Sequence, residues 1–346
     1  MRASIRIALL SLAVLSGASV AQAQEHTIRV ALTRSISSVT TLVGIEKGYF
    51  KEHGIRIEIE DIDSSVSAMA LLAQNRLQIV EGGISAGYFN ALEKNLPITI
   101  IADRVTTPIH HKLMLRADLK DEVKEVAQLK GRTIASNGQG AVTTYEIGKL
   151  METAGLTIKD VEIKILPFTQ MSVAFANKAI DAGLVISPWN AQLVDQGLAL
   201  PFADPDDYVK PGPLTIAVGF INTDWEKQNP ELTRNYTLAY MRGVREYCQA
   251  YHSGANRQEL IDILIRSGTE RRPEMLQKYP WPARNPNGRL SLESLLDMQA
   301  WFAKAGLTQQ QLPAERLVNY AYVDHAVAKL GPFVIENKAS PLGGCR

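Results

Sequence analysis

Residues 27–59, TIRVALTRSISSVTTLVGIEKGYFKEHGIRIEI, contain the pattern that decides the fold. Thr27–Leu32 predicts a strand, Val39–Lys47 predicts an apolar helix, and Ile55–Ile59 alternates as a second strand. A second round of strands and helices begins near Thr133. Repeated alternation of this kind predicts an α/β fold with largely parallel sheets covered by helices.

A segment rich in Pro, Gly and Asp, Asp204–Pro213, follows the second round and is typical of a connector. Strand Leu214–Asn222 comes next, and the pattern is mostly helical from Asn229 onward. This order predicts two lobes joined by crossover segments near residues 102–112 and 204–214, with ligands bound in a crevice at the carboxyl ends of strands. The predicted division places residues 24–105 and 213–346 in lobe 1 and residues 106–212 in lobe 2.

The first 23 residues have the pattern of a removable secretory signal. Arg2 and Arg6 supply the positive start, Ile7–Leu15 is apolar apart from one serine, and Ala21-Gln22-Ala23 is an A-x-A cleavage pattern. The apolar stretch is shorter than the roughly 20 residues that span a bilayer. Because no Cys lies near the cleavage point, we expect a freely diffusing product outside the cytoplasm, with no lipid anchor.

Composition excludes some functions and leaves the state of the cysteines open. The formal net charge of the chain is +1, and the charges are mixed along it, so no net field attracts nucleic acid or a membrane surface. Cys248 and Cys345 are the two cysteines. They either pair in an oxidising compartment or remain separate thiols, and the sequence does not supply the geometry that decides this. The scattered histidines and two thiols predict no metal site.

A glycine-rich loop, SNGQGAVTTY at residues 136–145, lies between a predicted strand and a predicted helix. Glycines let the backbone approach a ligand, and the first amides of a helix favour an anion. The candidate ligand-binding residues are Asn137, Gln139, Gly140, Ala141, Val142 and Thr143. A plain glycine turn capped by threonine is the alternative. A dinucleotide fingerprint is disfavoured, because its third glycine and the acidic residue after the next strand are missing, and we expect no cofactor.

Residues 83–87, GISAG, match the G-x-S-x-G sequence of the nucleophile elbow of serine hydrolases, and they lie between a predicted strand and a predicted helix as that elbow does. Too little chain precedes Ser85 for the usual sheet, however, and no His-Gly oxyanion motif lies upstream. His325, a possible partner, falls in a predicted helix. We therefore interpret Gly83 and Ser85 as ligand-binding residues that line a cleft, and keep a secreted hydrolase that uses Ser85 as the alternative.

Two further turns between strands and helices carry candidate ligand contacts. Ser35, Ser37 and Ser38 precede the first helix, where each serine alone would be interpreted as a helix cap. Trp189 follows Ser187-Pro188 at the start of another helix, where its indole would either cover the ligand or pack between helices.

These residues carry a resemblance to a known family. The sequence is similar in three places to motifs of ABC-importer solute-binding proteins, in the nitrate, sulfonate, taurine and thiamine-precursor group. The similar segments are Val39–Ile55, then Gly131–Ala135 together with Gly140–Tyr145, and then Lys178–Ala182 together with Ser187–Trp189. Lys178 stands where the family usually has glycine. The resemblance covers nearly all of the chain after the signal.

The resemblance implies a type II periplasmic binding protein with two α/β lobes and a cleft that closes on its ligand. It implies a periplasmic monomer without catalysis or cofactor, whose partner is a permease in the inner membrane. The family's ligand loops correspond here to residues 35–38, 83–85 and 137–143. We expect hydroxyls and helix-start amides to bind the carboxylate or sulfonate of a small organic anion, with Trp189 over its body. A pyrimidine thiamine precursor is a further alternative.

Overall fold

The computed structural model describes residues 25–252, 254–278, 280–333 and Cys345. The predicted signal, residues 1–23, lies outside these ranges. Within them, no helix is both long enough and apolar enough to cross a membrane.

The strands and helices follow one another largely as the sequence predicts. The strands are β1 (His26–Leu32), β2 (Ile55–Asp61), β3 (Ile79–Gly83), β4 (Ile98–Thr106), β5 (Lys112–Arg116), β6 (Thr133–Ser136), β7 (Glu162–Ile165), β8 (Ala182–Val185), β9 (Ala199–Ala203) and β10 (Thr215–Asn222). The helices are α1 (Val39–Glu46), α2 (Ser65–Ala73), α3 (Ala86–Glu93), α4 (Val142–Thr153), α5 (Phe168–Ala176), α6 (Trp189–Asp195), α7 (Pro205–Tyr208), α8 (Thr223–Gln228), α9 (Pro230–His252), α10 (Arg257–Arg266), α11 (Pro273–Lys278), α12 (Leu292–Lys304) and α13 (Ala321–Leu330).

Two five-stranded sheets form the framework, in the orders β2-β1-β3-β10-β4 and β7-β6-β8-β5-β9. We call them the first and the second sheet. The α/β prediction is confirmed, but both sheets are mixed. In the first sheet β10 runs antiparallel to β3 and β4, and in the second β5 runs antiparallel to β8 and β9. The other pairs, β1 with β2 and β3, and β6 with β7 and β8, are parallel as predicted.

The chain passes between the sheets through two neighbouring segments, residues 107–111 and 209–214. The amide of Thr107 donates to the carbonyl of Leu214 at 2.9 Å, and the amide of Leu214 donates to the Thr107 hydroxyl at 2.8 Å. Asp206 accepts hydrogen bonds from the amides of Ile109 and His110. The two crossings are therefore tied side by side. We keep lobe 1 and lobe 2, with the residue boundaries given above, as proposed names for the parts on either side.

The C-terminal helices pack mainly on the first sheet. Their apolar side chains share a core with β1, α1 and α9, which includes Val30, Val43, Val244 and Val323. Cys248 on α9 forms a disulfide with Cys345, with 5.4 Å between the Cα atoms, so the structure pairs the two cysteines that the sequence left open. One helix of this region, α12, also reaches α4 of the second sheet, where the ring of Trp301 packs against Tyr145 at 5.6 Å.

Candidate functional site

A cavity with an empty volume of about 530 Å³ lies between the two sheets, and we call it the central cavity. Three loops that the sequence singled out meet there. Its lining from the first sheet and its loops is Thr33, Ser35, Ser37, Ser64, Ser65, Gly82, Gly83, Arg104, Val105, Ile216 and Ala217, and from the second His111, Asn137, Ala141, Val142, Thr143, Phe168 and Ile186.

The serines after β1 divide into two that line the cavity and one that supports them. The hydroxyls of Ser35 and Ser37 lie 2.9 Å apart and both residues line the cavity. Ser38 is fully buried, and its hydroxyl donates to the carbonyl of Ser35 at 2.7 Å. Ser38 therefore holds the turn and is not part of the lining.

The GISAG segment contributes Gly83 to the lining but not Ser85. Ser85 is fully buried at the start of α3, where its Oγ accepts a hydrogen bond from the amide of Tyr88 at 3.4 Å. The segment also joins the two sheets, because the amide of Ala86 donates to the carbonyl of Gly140 at 2.9 Å. Ser85 thus acts as a helix cap next to a contact between the lobes.

The glycine-rich loop leads into α4 as the sequence predicts. Gly140 has a φ of +64°, which glycine adopts without strain. The amide of Ala141 is used within the turn, donating to the carbonyl of Gly138 at 3.1 Å. The amides of Val142 and Thr143, the first two helical positions, have no partner within the helix. Both residues line the cavity, whereas Gln139 is exposed outside it.

Side chains within this loop hold its shape. The hydroxyl of Thr143 donates to the Asn137 Oδ1 at 2.8 Å and lies 2.7 Å from the Ser136 Oγ. Gly138 faces lobe 1 closely, since a Cβ at this position would lie 2.8 Å from the Oγ of Ser64. The side-chain Nδ2 of Asn137 donates to the carbonyl of Asp63 at 3.3 Å. The loop therefore combines a fixed shape with contacts across the cleft.

Arg104 in β4 is the most informative residue that the sequence analysis missed. It lines the cavity and is 2 % exposed. Its Nη1 donates to the carbonyl of Glu81 at 3.1 Å, and its Nε lies 3.4 Å from the Glu81 carboxylate. Its Nε and Nη2 have no hydrogen-bond partner. Burial lowers the pKa of Arg104, while the charge of Glu81 raises it. A buried guanidinium with unused donors is suited to bind an oxyanion.

His111 is a further cavity residue that the sequence analysis did not single out. Its Nδ1 lies 2.9 Å from the Oε1 of Glu146, which is fully buried on α4. Burial raises the pKa of Glu146, and His111 partly offsets this. The preceding residue, His110, lines a separate small pocket.

Trp189 lies outside the central cavity and beside a second one. This second cavity, with an empty volume of about 520 Å³, is lined by Thr33, Arg34, Asp61, Ile62, Asp63, Phe168, Thr169 and Trp189. The ring of Trp189 stacks on Phe168, with 5.3 Å between centroids and 21° between planes. Phe168 begins α5 and lines both cavities, whereas Trp189 lines only the second.

Among residues 25–252, 254–278, 280–333 and 345, no group of three or more His, Cys, Asp or Glu side chains is placed to hold a metal ion. The ionisable residues of the central-cavity lining are Arg104 and His111. Each is paired with a buried carboxylate, Arg104 with Glu81 and His111 with Glu146.

Comparisons with known proteins agree with this geometry. The family model described as NMT1/THI5 like matches residues 36–250. No curated protein sequence matches the chain. The periplasmic nitrate-binding protein NrtA from Synechocystis PCC 6803 is similar in structure, with a TM-score of 0.75 at 15% identity over 89% of each chain. The alkanesulfonate-binding protein SsuA from Xanthomonas axonopodis pv. citri, bound to MOPS, has a TM-score of 0.71 at 16% identity, over 86% of this chain and 100% of that chain.

One of the similar structures bears the name of an enzyme. The desulfurization enzyme DSZB has a TM-score of 0.61 at 13% identity, over 88% of this chain and 100% of that chain. At these identities the likeness is one of fold. The periplasmic-binding fold expected from the sequence motifs is thereby confirmed, and the chemistry has to be argued from the residues themselves.

Proposed function

The chain belongs to the NMT1/THI5-like family, and we propose that it is a periplasmic binding protein that captures a small organic anion and delivers it to the permease of an ABC importer. The observation that carries this proposal is the buried guanidinium of Arg104 in a cavity without an acidic lining residue. Its Nε is paired with the Glu81 carboxylate at 3.4 Å, whereas its Nη2 has no hydrogen-bond partner, which is costly in a buried site. An oxyanion ligand would satisfy the Nη2.

Groups on the opposite wall of the central cavity support the same ligand chemistry. The amides of Val142 and Thr143 are at the positive end of the α4 dipole, where an anion is stabilised. The hydroxyls of Ser35 and Ser37 supply neutral donors from the first sheet. A carboxylate or sulfonate between these walls would contact both lobes at once.

Contact with both lobes explains how binding is coupled to closure. A ligand that touches both walls binds the closed arrangement more tightly and shifts the equilibrium towards it. The paired crossings at residues 107–111 and 209–214 are suited to act as the hinge. The hydrogen bond from Ala86 to Gly140 joins the lobes in the closed state.

Location and partners follow from the same proposal. The predicted signal sends the chain across the inner membrane, and similar structures bear the names of periplasmic nitrate-binding and alkanesulfonate-binding proteins. We propose a freely diffusing monomer that docks on an inner-membrane permease, with neither nucleic acid nor a cofactor involved.

The alternatives from the sequence are less well supported. The Ser85 hydroxyl is fully buried and engaged with the Tyr88 amide, so it is not presented to a substrate. We therefore propose that no catalysis occurs, and we expect a fluorophosphonate to leave Ser85 unlabelled. A pyrimidine thiamine precursor would require an acceptor for its ring amine. The buried carboxylates of Glu81 and Glu146, next to the cavity lining, are engaged by Arg104 and His111 respectively.

The proposal is tested by measuring how Arg104→Gln changes the thermal stabilisation that small organic acids give the purified protein. We expect at least one carboxylate or sulfonate to raise the melting temperature of the wild type, because a ligand that binds the folded state stabilises it. Arg104→Gln should reduce the affinity by roughly 10-fold or more, since it removes a charge-assisted hydrogen bond.

Arg284→Gln is the matched control, because Arg284 is also fully buried near β4 but does not line the cavity. Each variant is compared with its own melting temperature in the absence of ligand. A ligand-induced shift that survives Arg104→Gln unchanged would contradict the assigned anion site.

A further inference from the structure

We infer that the anion captured by this protein has a flat aromatic body, such as an aryl carboxylate or aryl sulfonate with a single negative charge. This inference rests on the proposed function, because it assumes that the central cavity holds the anionic group. The class of ligand is inferred from the second cavity and from the aromatic pair, Phe168 and Trp189, next to it.

The two cavities adjoin, because Thr33 and Phe168 line both of them. A ligand whose anionic group contacts Arg104 in the central cavity would extend past Phe168 into the second cavity. An inorganic anion or a one-carbon sulfonate would leave the second cavity unused. The adjoining cavity therefore favours a ligand with a body of several heavy atoms.

The wall of the junction is an aromatic pair formed before any ligand binds. Phe168 begins α5, and Trp189 begins α6, so each ring is anchored at a helix start. Their near-parallel stacking fixes both planes, and Phe168 is 5 % exposed within the apolar core of lobe 2. A fixed aromatic surface of this kind favours a flat ring, because offset stacking adds to the gain from burial.

Charges around the second cavity exclude a second anionic group. The guanidinium of Arg34 is paired with Asp61 at 2.6 Å and also donates to the carbonyl of Ser267. Asp63 is a further acidic residue of the lining, so the three ionisable side chains carry a net charge of −1. A dianionic ligand would place its distal charge near these carboxylates, where like charges repel.

Calorimetric titration of the full protein tests the inference with four probes. Methanesulfonate and acetate supply the anionic group alone, benzenesulfonate adds a ring, and 4-sulfobenzoate adds a ring with a second charge. We expect benzenesulfonate to bind at least about 10-fold more tightly than methanesulfonate, because its ring is buried and stacks on the aromatic pair. It should also bind more tightly than 4-sulfobenzoate.

Trp189→Leu separates the ring contribution from anion binding, because Trp189 lines only the second cavity. The variant should lower the affinity for benzenesulfonate by roughly 5-fold, which is the contribution of one ring contact. Its affinity for methanesulfonate should change by less than about 2-fold. Phe175→Leu is the matched control, since Phe175 is buried in the same core as Phe168 but lines neither cavity.

The outcomes distinguish the two proposals. Equal affinity for methanesulfonate and benzenesulfonate, or equal losses for both in Trp189→Leu, would overturn the aryl assignment while leaving anion capture intact. Tighter binding of 4-sulfobenzoate would overturn the single-charge assignment. If none of the four probes, nor any other small acid, bound the wild type, both the aryl assignment and the proposed function would be wrong.

Discussion

Asp103 and Arg104 are adjacent buried residues in β4, and they have different surroundings. Arg104 reaches the central cavity, whereas the Oδ2 of Asp103 accepts from the amide of Asn285 at 2.8 Å and its Oδ1 has no partner. Burial raises the pKa of Asp103 to about 7, and the Asn285 amide and the charge of Arg284 only partly oppose this. Asp103 is therefore a titrating group behind the site.

Asp103 predicts a pH dependence of stability. Since its folded-state pKa is raised above the unfolded value of about 3.9, the folded state binds the proton more tightly. The resulting stabilisation is complete below about pH 4 and is lost as the pH rises towards 7. The slope from this residue is at most about 1.4 kcal/mol per pH unit.

Asp103→Asn should flatten that dependence, because the amide does not titrate. Chemical unfolding of both proteins between pH 4 and 8 measures the difference in their free energies of unfolding. Parallel curves for wild type and variant would show that Asp103 does not titrate in this range.

At the scale of residues, the sequence predicted the loops of the site better than its charged groups. Ser35, Ser37 and Gly83 could be predicted because they follow strands and precede helices. Arg104 could not, because the side of β4 that faces the cavity depends on its pairing with β10, a strand more than a hundred positions further along the chain. Its one signal was a charged pair, Asp103-Arg104, within an otherwise apolar strand.

Helices α1 and α9 pack closely because Gly243 has no side chain. A Cβ at this position would lie 2.2 Å from the backbone carbonyl oxygen of Thr40, which cannot move without disturbing α1. The same segment of α1 carries Thr41, whose hydroxyl donates to the Glu81 carboxylate at 2.7 Å, and Glu81 in turn contacts Arg104. The close approach of the two helices thus supports the wall of the site.

Gly243→Ala should therefore destabilise the protein by about 2 kcal/mol or more, as overpacking does. The loss would be measured by urea unfolding. Gly87→Ala is the control, because Gly87 is also helical and a Cβ there meets nothing closer than 3.4 Å. Alanine at that position should be neutral or stabilising by up to about 1 kcal/mol. Similar losses for both variants would refute the packing argument.

At the scale of elements, β5 and β9 were the strands that the sequence analysis did not predict. Strand β9 contains Pro201, which disfavours a strand interior but is tolerated at the edge where β9 lies. Strands β1, β2 and β10 were predicted because they carry clear apolar patterns. Missing β5 also hid the antiparallel pairs of the second sheet.

At the scale of the whole molecule, the order of the α/β elements was visible in the sequence, but the contacts between the lobes were not. These contacts join distant residues, and the clearest lie between α12 and α4. The Oδ2 of Asp297 accepts from the Tyr145 hydroxyl at 2.7 Å and lies 3.1 Å from the Nζ of Lys149. Lys304 pairs with Glu152 at 2.8 Å about two turns further along α12.

These contacts join a helix packed on the first sheet to α4, whose N-terminus belongs to the proposed anion site. We therefore expect Asp297→Ala to favour the open arrangement, because it leaves the buried Tyr145 hydroxyl without its acceptor. Ligand affinity should fall by roughly 3- to 10-fold as the closed fraction declines. Small-angle X-ray scattering without ligand should show a larger radius of gyration.

Asp324→Ala provides the control, because Asp324 is also paired with a basic residue, Arg289, but this pair does not join the two sheets. That exposed pair contributes about 1 kcal/mol or less, and its loss should change neither ligand affinity nor the radius of gyration. Unchanged scattering and affinity in Asp297→Ala would mean that the α4–α12 contact does not bias closure. The hinge and the ligand would then account for closure alone, and substitutions at residues 107–111 would be expected to have the larger effect.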